Sequence, residues 1–506
     1  WLKPLALALL HAMTSPSWRR STQPEGAGLR WCRRRVQTCL AVVGAAAAVT
    51  SGLFHGGGSP LLDEGPVTSD AFAFRASRSR AKSMVAARGH DAPQLTLTKQ
   101  LTDASTAEDL LHLVGANADR LHEVHVAAAL RSLAKDTLAS DKALIGEDPN
   151  FLILVDRTSE LLTTLTSKAL TNVLWALAKV DYHPGNTFMR DFIRTSEFKL
   201  SRYQPRDLVN SLWACARLEH HPGEEFLLKV VDKSKRMLKQ FSPMDLSNLL
   251  WSLARLAHHP GDRFVQAVWE EIARKAADFS TLDITNTLWA SAKIEFRPDG
   301  DELNTLLQQA ISKLKAFNAQ EVASVLWSCS RLGVQPGAEL LHALPNRKAA
   351  ELTAFGPKGL AHIMWIYSKL GYNPGEEFLG KVMGKLSRSV PAFGYCGPQG
   401  LASILWACAK LNHDPGEEHL SAILRSALGE LPNSHPAQLA NMLWACAKLG
   451  YQPTEEFLQM WIREASPKMK FFDRHELAIS RWAATRLNFP AGATLLHANS
   501  TIWARQ

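Results

Sequence analysis

The stretch "NSLWACARL", Asn210–Leu218, places a tryptophan inside a short apolar segment, three residues after an asparagine and four before an arginine. Similar segments recur along the chain, and we call their tryptophans the tryptophan column: Trp175, Trp213, Trp251, Trp289, Trp327, Trp365, Trp406, Trp444 and Trp482. Neighbouring members are 38 residues apart, except for one interval of 41 residues. A fixed period of about 20–50 residues predicts a tandem array in which each unit stacks on the next.

Each repeat carries the pattern of two helices. In "LTNVLWALAKV", Leu170–Val180, apolar residues recur at the helical period and predict the first helix. The second begins at "PGEEFL", Pro222–Leu227, whose early acids suit a helix N-terminus. Capping boxes are expected to start the first helix, as at Ser242–Asp245 and Asn318–Glu321. Residues that tolerate a left-handed backbone are expected to end it, at Gly333, Gly371, Asn412 and Gly450.

These patterns predict an all-α fold, a right-handed α-solenoid (superhelix) of tandem 38-residue helix-turn-helix repeats. We expect a degenerate N-terminal cap repeat and helices in residues 91–165, where Arg131 replaces the tryptophan. Eight helical repeats are expected in 166–466 and a degenerate C-terminal cap repeat in 467–506. The longer interval contains "PAFGYCGPQG", Pro391–Gly400, which we interpret as a loop between repeats.

The net charge of +9 comes almost entirely from the N-terminal segment. Residues 1–90 contain 12 Lys or Arg and 4 Asp or Glu, whereas residues 91–506 contain 45 and 44. Bulk charge therefore gives no argument that the repeats bind nucleic acid, and any basic surface on them must be local.

Residues 1–90 are predicted to be a disordered targeting presequence. The uncharged run "CLAVVGAAAAVTSGLF", Cys39–Phe54, follows three arginines and is too short for a membrane span, so it resembles a signal. "AFAFRASRSRAKSMVAARG", Ala71–Gly89, has no acid and is rich in Arg, Ser and Ala, as transit peptides are. A signal followed by such a segment resembles the bipartite presequence of complex plastids, so we expect a plastid protein, with the mitochondrion as the alternative. No stable membrane span is expected in the mature protein.

The cysteines indicate packing rather than chemistry. None of the seven forms a CxxC pair, so a metal site is not expected. Four occupy one repeat position and are expected to be buried in a reducing compartment: Cys215, Cys329, Cys408 and Cys446. With no phosphate-binding loop, dinucleotide motif or nucleophile–base pair in the chain, we predict neither an enzyme nor a cofactor.

The segment "LANMLWACAKLGYQP", Leu439–Pro453, together with the 38-residue period, resembles the octotricopeptide repeat family over about residues 105–490. The resemblance implies an organellar α-solenoid that binds RNA and acts in transcript stability, processing, splicing or translation. Some relatives sit on organellar ribosomes, and many end in a nuclease-like RAP domain. The 16 residues after Pro490 are too few for that domain, so cleavage is not expected.

Two further columns accompany the tryptophans. The polar column, three residues before them, is Asn172, Asn210, Asn248, Asn286, Ser324, His362, Ser403 and Asn441. The basic column, four residues after them, is Lys179, Arg217, Arg255, Lys293, Arg331, Lys369, Lys410, Lys448 and Arg486. The residue directly after the tryptophan is mostly Ala or Ser. Residues three, four or seven apart share a helix face, so we predict one strip with polar, small and basic positions.

This strip predicts binding of single-stranded RNA. One cation per repeat could follow phosphates, and the polar column could reach the edges of unpaired bases. The candidate RNA-binding residues are Lys179, Arg217, Arg255, Lys293, Arg331, Lys369, Lys410, Lys448, Asn172, Asn210, Asn248, Asn286 and Asn441. As structural alternatives, the helix dipole favours a cation near a helix C-terminus by about 0.3–1 kcal/mol, and the asparagines could form a hydrogen-bond ladder.

The tryptophan column is assigned mainly to packing, on the other face from the strip, with base stacking as the alternative. We predict an organellar RNA-binding repeat protein in post-transcriptional control, with organellar RNA as its partner and an organellar ribosome or other RNA-processing proteins as further expected partners. The rival is a protein–protein scaffold or a ribosome-associated structural component. Six acids would favour the rival if they neutralised the basic column: Glu224, Glu225, Glu376, Glu377, Glu417 and Glu418.

Overall fold

The computed structural model describes residues 92–136, 145–347, 351–388, 393 and 396–503. The predicted presequence lies outside these residues, as do residues 391, 392, 394 and 395 of the predicted loop at Pro391–Gly400, whose last four residues begin a helix. The described residues form helices and turns without a strand.

The helices alternate along the chain between two layers. The odd-numbered helices are α1 (Ala92–Asp103), α3 (Glu123–Asp136), α5 (Ser167–Lys179), α7 (Pro205–Arg217), α9 (Pro243–Arg255), α11 (Thr281–Lys293), α13 (Ala319–Leu332), α15 (Pro357–Leu370), α17 (Gly397–Leu411), α19 (Pro436–Leu449) and α21 (Arg474–Arg486). The even-numbered helices are α2 (Ala107–Ala116), α4 (Pro149–Leu161), α6 (Asn186–Lys199), α8 (Glu224–Met237), α10 (Asp262–Lys275), α12 (Glu302–Ser312), α14 (Ala338–Ala343), α16 (Glu376–Arg388), α18 (Glu417–Glu430), α20 (Glu455–Ala465) and α22 (Pro490–Trp503).

Each odd-numbered helix packs against the next odd-numbered helix, from α1 through to α21. Even-numbered helices pack on one another in the same way, for example α10 on α12 and α18 on α20. The predicted all-α helical repeat solenoid is therefore confirmed. The tryptophan column lies on the odd-numbered helices from α5 to α21, and Arg131 takes the equivalent place on α3.

Local sequence sets the ends of these helices as predicted. Before α9, the Ser242 hydroxyl accepts the Asp245 N–H at 3.2 Å, and the Asp245 carboxylate accepts the Ser242 N–H at 3.1 Å. Asn318 and Glu321 form the same capping box before α13. The predicted glycine and asparagine positions after α13, α15, α17 and α19 all have left-handed backbone.

The same left-handed position is occupied by larger residues after the earlier helices. Asp181, Glu219, Ala257 and Glu295 have φ between 53° and 64°. A left-handed residue with a Cβ costs roughly 1–2 kcal/mol, so these four turns are strained where the later turns are relaxed.

The buried core corrects one part of the predicted strip. The residues directly after the tryptophans, which are mostly small, are almost fully buried, as at Ala176, Ala290 and Ala445 and at the larger Ile366. At 3.6 residues per turn, this position is rotated by about 100° from the tryptophan, which turns it away from the exposed surface and into the helix packing. It cannot line a binding strip.

The cysteine column is core, as predicted. Burial raises the pKa of each thiol to about 12 and removes it from thiolate chemistry at neutral pH. The residues concerned are Cys215, Cys329, Cys408 and Cys446.

Lysines near the ends of even-numbered helices link consecutive repeats, which the sequence analysis did not anticipate. The Lys275 ammonium donates to the Lys239 and Phe241 carbonyls at 2.9 and 2.7 Å. Lys313 donates in the same way to the Ala277 and Phe279 carbonyls at 2.7 and 2.6 Å. These carbonyls follow the preceding even-numbered helix and would otherwise lack partners, so each lysine caps the repeat before it.

Candidate nucleic-acid interface

The tryptophan column shares a surface with the polar and basic columns, contrary to the prediction that it faces away from them. A cavity of about 260 Å³ at α15, α17 and α19 is lined by Trp365, Lys369, Ser403, Trp406 and Asn441, among others. Helical geometry explains the correction, because positions three before and four after the tryptophan are rotated from it by only about 60° and 40°. We call this surface the odd-helix strip, made of the polar, tryptophan and basic columns.

Exposure of the tryptophan column changes along the odd-helix strip. The tryptophans at residues 213, 251, 289 and 327 are buried, and the Trp251 and Trp289 rings lie 6.3 Å apart between centroids. Trp365, Trp406 and Trp444 are half-buried, and Trp482 is 45% exposed. The packing assignment therefore describes the middle repeats well, whereas the later tryptophans also present ring surface to solvent.

In the earlier repeats, carboxylates neutralise much of the basic column. Arg217 lies 3.4 Å from Asp181, Arg255 lies 3.0 Å from Glu219, and Arg331 lies 3.1 Å from Glu295. Each acid occupies the strained left-handed turn of the preceding repeat. Lys179 and Lys293 are half-buried on α5 and α11.

Four of the six acids singled out in the sequence pair elsewhere. Glu224 lies 3.0 Å from His258 and Glu376 lies 2.5 Å from His413, so both carboxylates contact the turn of the next repeat. Glu225 and Glu377 pair with lysines one turn along their own helices. The neutralising carboxylates of the odd-helix strip are thus a different set, which sequence reasoning missed.

In the later repeats, the basic column is open. Lys369, Lys410 and Lys448 are exposed, and no carboxylate among the described residues lies within ion-pair distance of them. The turns that precede them hold Gly333, Gly371 and Asn412 in place of acids.

Aromatic rings accompany the open cations. The Lys410 ammonium lies 5.7 Å from the Trp406 ring centroid and 5.6 Å from that of Trp444. The Arg486 guanidinium lies 5.8 Å from the Trp482 ring and also donates to the Ala447 carbonyl at 3.2 Å. Such cation–π contacts hold the charges beside exposed ring faces.

The polar column is divided between packing and surface. The Asn210 amide donates to the Asn172 side-chain oxygen at 3.4 Å, the only contact of the possible ladder among the described residues. Asn286, one of the predicted RNA-binding residues, is buried, so little of its side chain reaches the surface. Asn248 and Asn441 are half-buried, and Asn441 lines the cavity.

His362 is the unusual member of the polar column. Its ring stacks on that of Trp365, with centroids 5.4 Å apart and planes at 17°. Burial lowers the pKa of His362 to about 4, so the ring is neutral at physiological pH. It therefore contributes a flat, uncharged surface to the odd-helix strip.

Three further polar residues extend the cavity. Gln438 donates to the Gln399 side-chain oxygen at 2.8 Å, and His475 lines the same space. Gln399 and His475 stand seven residues before their tryptophans, which places them on the same helix face. Extending the predicted strip by one turn towards the helix start would have identified Gln399 and His475.

Within the described part of the chain, no group of His, Cys, Asp and Glu has an arrangement that could hold a metal ion. None of the described helices is both long and apolar enough to cross a membrane.

Residues 109–332 match the family model described as the N-terminal domain of the Tbc2 translation factor. The matched segment runs from α2 to the end of α13, so it covers the repeats in which the basic column is largely neutralised. No curated protein matches the chain.

Proposed function

We propose that this chain is an octotricopeptide-like repeat protein that binds single-stranded organellar RNA and acts in translation or another post-transcriptional step. The binding surface is the odd-helix strip from α15 to α21. The observation that carries the proposal is the row of exposed lysines, Lys369, Lys410 and Lys448, set beside half-buried tryptophans without neutralising acids.

The chemistry of this row suits an unpaired strand. Lysines spaced by one repeat attract successive phosphates, while aromatic faces stack bases with about 1–3 kcal/mol per base. The amides of Gln399, Gln438 and Asn441 add donors and acceptors beside the rings. The cavity of about 260 Å³ is smaller than a typical ligand pocket of about 300–1,000 Å³, which suits part of a nucleotide better than a larger ligand.

The match to a translation-factor domain supports a role in translation. The proposal includes a plastid location, based on the composition of residues 1–90, with the mitochondrion as the alternative. The protein is proposed to act by binding alone, without catalysis.

A second function is favoured by one specific observation. The ion pairs of Arg217, Arg255 and Arg331 make the strip from α7 to α13 less attractive to phosphates. A neutral, ordered surface of this kind suits a protein partner, such as a component of an organellar ribosome. The repeats from α5 to α13 would then dock the protein while the later repeats hold RNA.

Binding of a fluorescein-labelled uridine 20-mer by the full chain tests the main proposal. Replacing Lys369, Lys410 and Lys448 by alanine should weaken binding by at least about tenfold and lower the slope of log K against log salt by about 2, at roughly 0.7 per phosphate contact. The matched control replaces Arg217, Arg255 and Arg331, and it should change affinity less than about twofold because these charges are already paired.

Equal losses in the two triple variants would contradict the assignment to α15–α21. Crosslinking of the native protein in its organelle, followed by sequencing, provides the test of function. An absence of enriched transcripts would refute the RNA proposal and leave the scaffold.

A further inference from the structure

A second recess lies far along the chain from the open lysines. It is a hollow of about 800 Å³ where the loop before α5, the end of α6 and the start of α7 meet. We call it the α5–α7 hollow. Asn172 of the polar column lines it, so the hollow adjoins the odd-helix strip at its first tryptophan-bearing helix.

Four cations and a single carboxylate line the α5–α7 hollow. Lys168 and Arg202 are exposed and have no carboxylate within ion-pair distance in the described part of the chain. Arg206 is half exposed and has only a long contact, 3.8 Å, to Asp245. Lys199 donates to the Thr163 carbonyl at 2.7 Å and to the Leu165 carbonyl.

The one carboxylate in the lining is already engaged. Asp207 is buried, accepts the Gln204 N–H at 2.9 Å and accepts the Thr171 hydroxyl at 3.3 Å. Burial, and secondly the charge of Arg202, lower the pKa of Lys199, which is consistent with excess positive charge in this recess. An anion entering the hollow would therefore meet four cations and one carboxylate, so attraction outweighs repulsion.

The sequence of α5 adds to this positive character. Its first turn contains Lys168 and no acid, whereas α7, α9 and α11 each carry an aspartate at the third position of a capping box. The partial positive charge of the α5 N-terminus is therefore not offset as it is in the next three odd-numbered helices.

An aromatic ring stands beside these charges. Phe198, near the end of α6, is 87% exposed, the largest exposure among the large apolar side chains of the described core repeats. Single exposed apolar residues are common and by themselves indicate nothing. An exposed ring in the same recess as unpaired cations is different, because proteins bind single-stranded nucleic acid with this combination of stacking surface and positive charge.

We propose that the α5–α7 hollow is a separate nucleotide-binding site for single-stranded RNA. The base stacks on Phe198, and Lys168, Arg202 and Arg206 hold the adjoining phosphate. The inference rests on the proposed function for the class of ligand, but its residues are distinct from those of the α15–α21 surface. The site would hold a nucleotide of the strand away from the main row of lysines.

The test measures binding of the fluorescein-labelled uridine 20-mer to the full chain and to single variants. Phe198→Ala should weaken binding about tenfold, as expected for one lost stacking contact of about 1–3 kcal/mol, and Phe198→Tyr should restore it. Arg202→Ala should weaken binding and lower the salt slope by about 0.7. Arg263→Ala, an exposed charge on α10 outside both sites, is the matched control and should have no effect.

Because Phe198, Arg202 and Arg263 are exposed, thermal unfolding should be unchanged in all of these variants. A 5-bromouridine 20-mer should also crosslink to the peptide that contains Phe198. If Phe198→Ala and Arg202→Ala bind like the parent while the triple lysine variant loses binding, the hollow is not a site and the proposed function stands. If the hollow variants lose binding and the triple lysine variant does not, the hollow is a site and the α15–α21 assignment fails.

Discussion

The repeats from α7 to α13 and those from α15 to α21 share one sequence pattern but present different surfaces. In the earlier group, the tryptophans from Trp213 to Trp327 are buried, and three arginines of the basic column are paired with acids. In the later group, tryptophan edges reach solvent and the lysines are open. A repeat consensus therefore specifies how the units stack, while variable positions within each repeat decide what the stacked surface can bind.

The turn after each odd-numbered helix contains one of these variable positions. Asp181, Glu219 and Glu295 adopt left-handed backbone at roughly 1–2 kcal/mol each, although glycine would remove that cost. Strain of this kind persists where another interaction requires the residue. Ala257 adopts the same backbone without a carboxylate, so the strain is not specific to the acids. The three carboxylates neutralise part of the earlier strip, whereas glycine or asparagine at the later turns leaves the later strip positive.

The largest effect on stability is expected from replacing a buried tryptophan, with a smaller effect from replacing a half-buried one. Trp289→Ala should lower the free energy of unfolding by about 3–5 kcal/mol, because the ring is fully buried. Trp444→Ala, in the half-buried group, should lower it by less and should weaken RNA binding. Urea unfolding followed by circular dichroism, with RNA titrations in parallel, measures both.

Trp289→Phe gives a sharper version of this test. The indole N–H of Trp289 is buried without a hydrogen-bond partner among the described residues. Removing the N–H group also removes the free-energy cost of burying an unpaired donor, and this offsets part of the packing that is lost with the larger ring. The phenylalanine variant should therefore be far less destabilised than the alanine variant. Equal stability losses for Trp289→Ala and Trp444→Ala would show that the two groups of tryptophans do not differ as described.

A smaller effect is expected from pH, through a residue of the later group. His362 has a pKa of about 4 in the folded chain, lowered by burial, against about 6.5 in an unfolded one. Folding therefore favours the neutral ring, and its contribution to stability is complete above pH 6.5 and is lost as pH falls towards 4. The loss attributable to this group is at most about 3 kcal/mol.

Comparing the pH dependence of unfolding for the parent and for His362→Asn isolates this contribution. Asparagine is the residue of the polar column in the earlier repeats, so it is a matched replacement. The variant should lose less stability than the parent between pH 6.5 and 4. Identical slopes would show that burial does not hold the ring neutral.

The periodicity of the sequence was sufficient to predict the all-α solenoid, the capping boxes and the buried cysteines, because each depends on residues close together in the chain. Helix geometry also places Trp365 and Trp406 on the odd-helix strip, but the prediction assigned the residue directly after each tryptophan to that strip instead. The pairing of Arg217 with Asp181 could not be predicted from the sequence, since the two residues are 36 positions apart and meet only through the stacking of consecutive repeats.

The smallest expected effect comes from converting the earlier surface into the later one. Asp181→Gly with Glu295→Gly removes the acids beside Arg217 and Arg331. Relief of left-handed strain, about 1–2 kcal/mol per site, is opposed by loss of a surface ion pair, about 0–1 kcal/mol, and by the flexibility of glycine in the unfolded chain, about 0.5–1 kcal/mol. Stability should therefore change little, whereas two newly available cations should raise affinity for the uridine 20-mer about threefold and steepen the salt slope by about 1.4.

The paired control, Asp181→Asn with Glu295→Asn, removes the same charges with a residue that also tolerates the left-handed turn. Both double variants should gain RNA affinity, because the gain depends on charge and not on backbone freedom. A gain in the glycine variant alone would assign the effect to turn flexibility. No gain in either would mean that Arg217 and Arg331 lie off the path of the RNA, and the earlier repeats would then be a protein-docking surface whose ion pairs keep nucleic acid away.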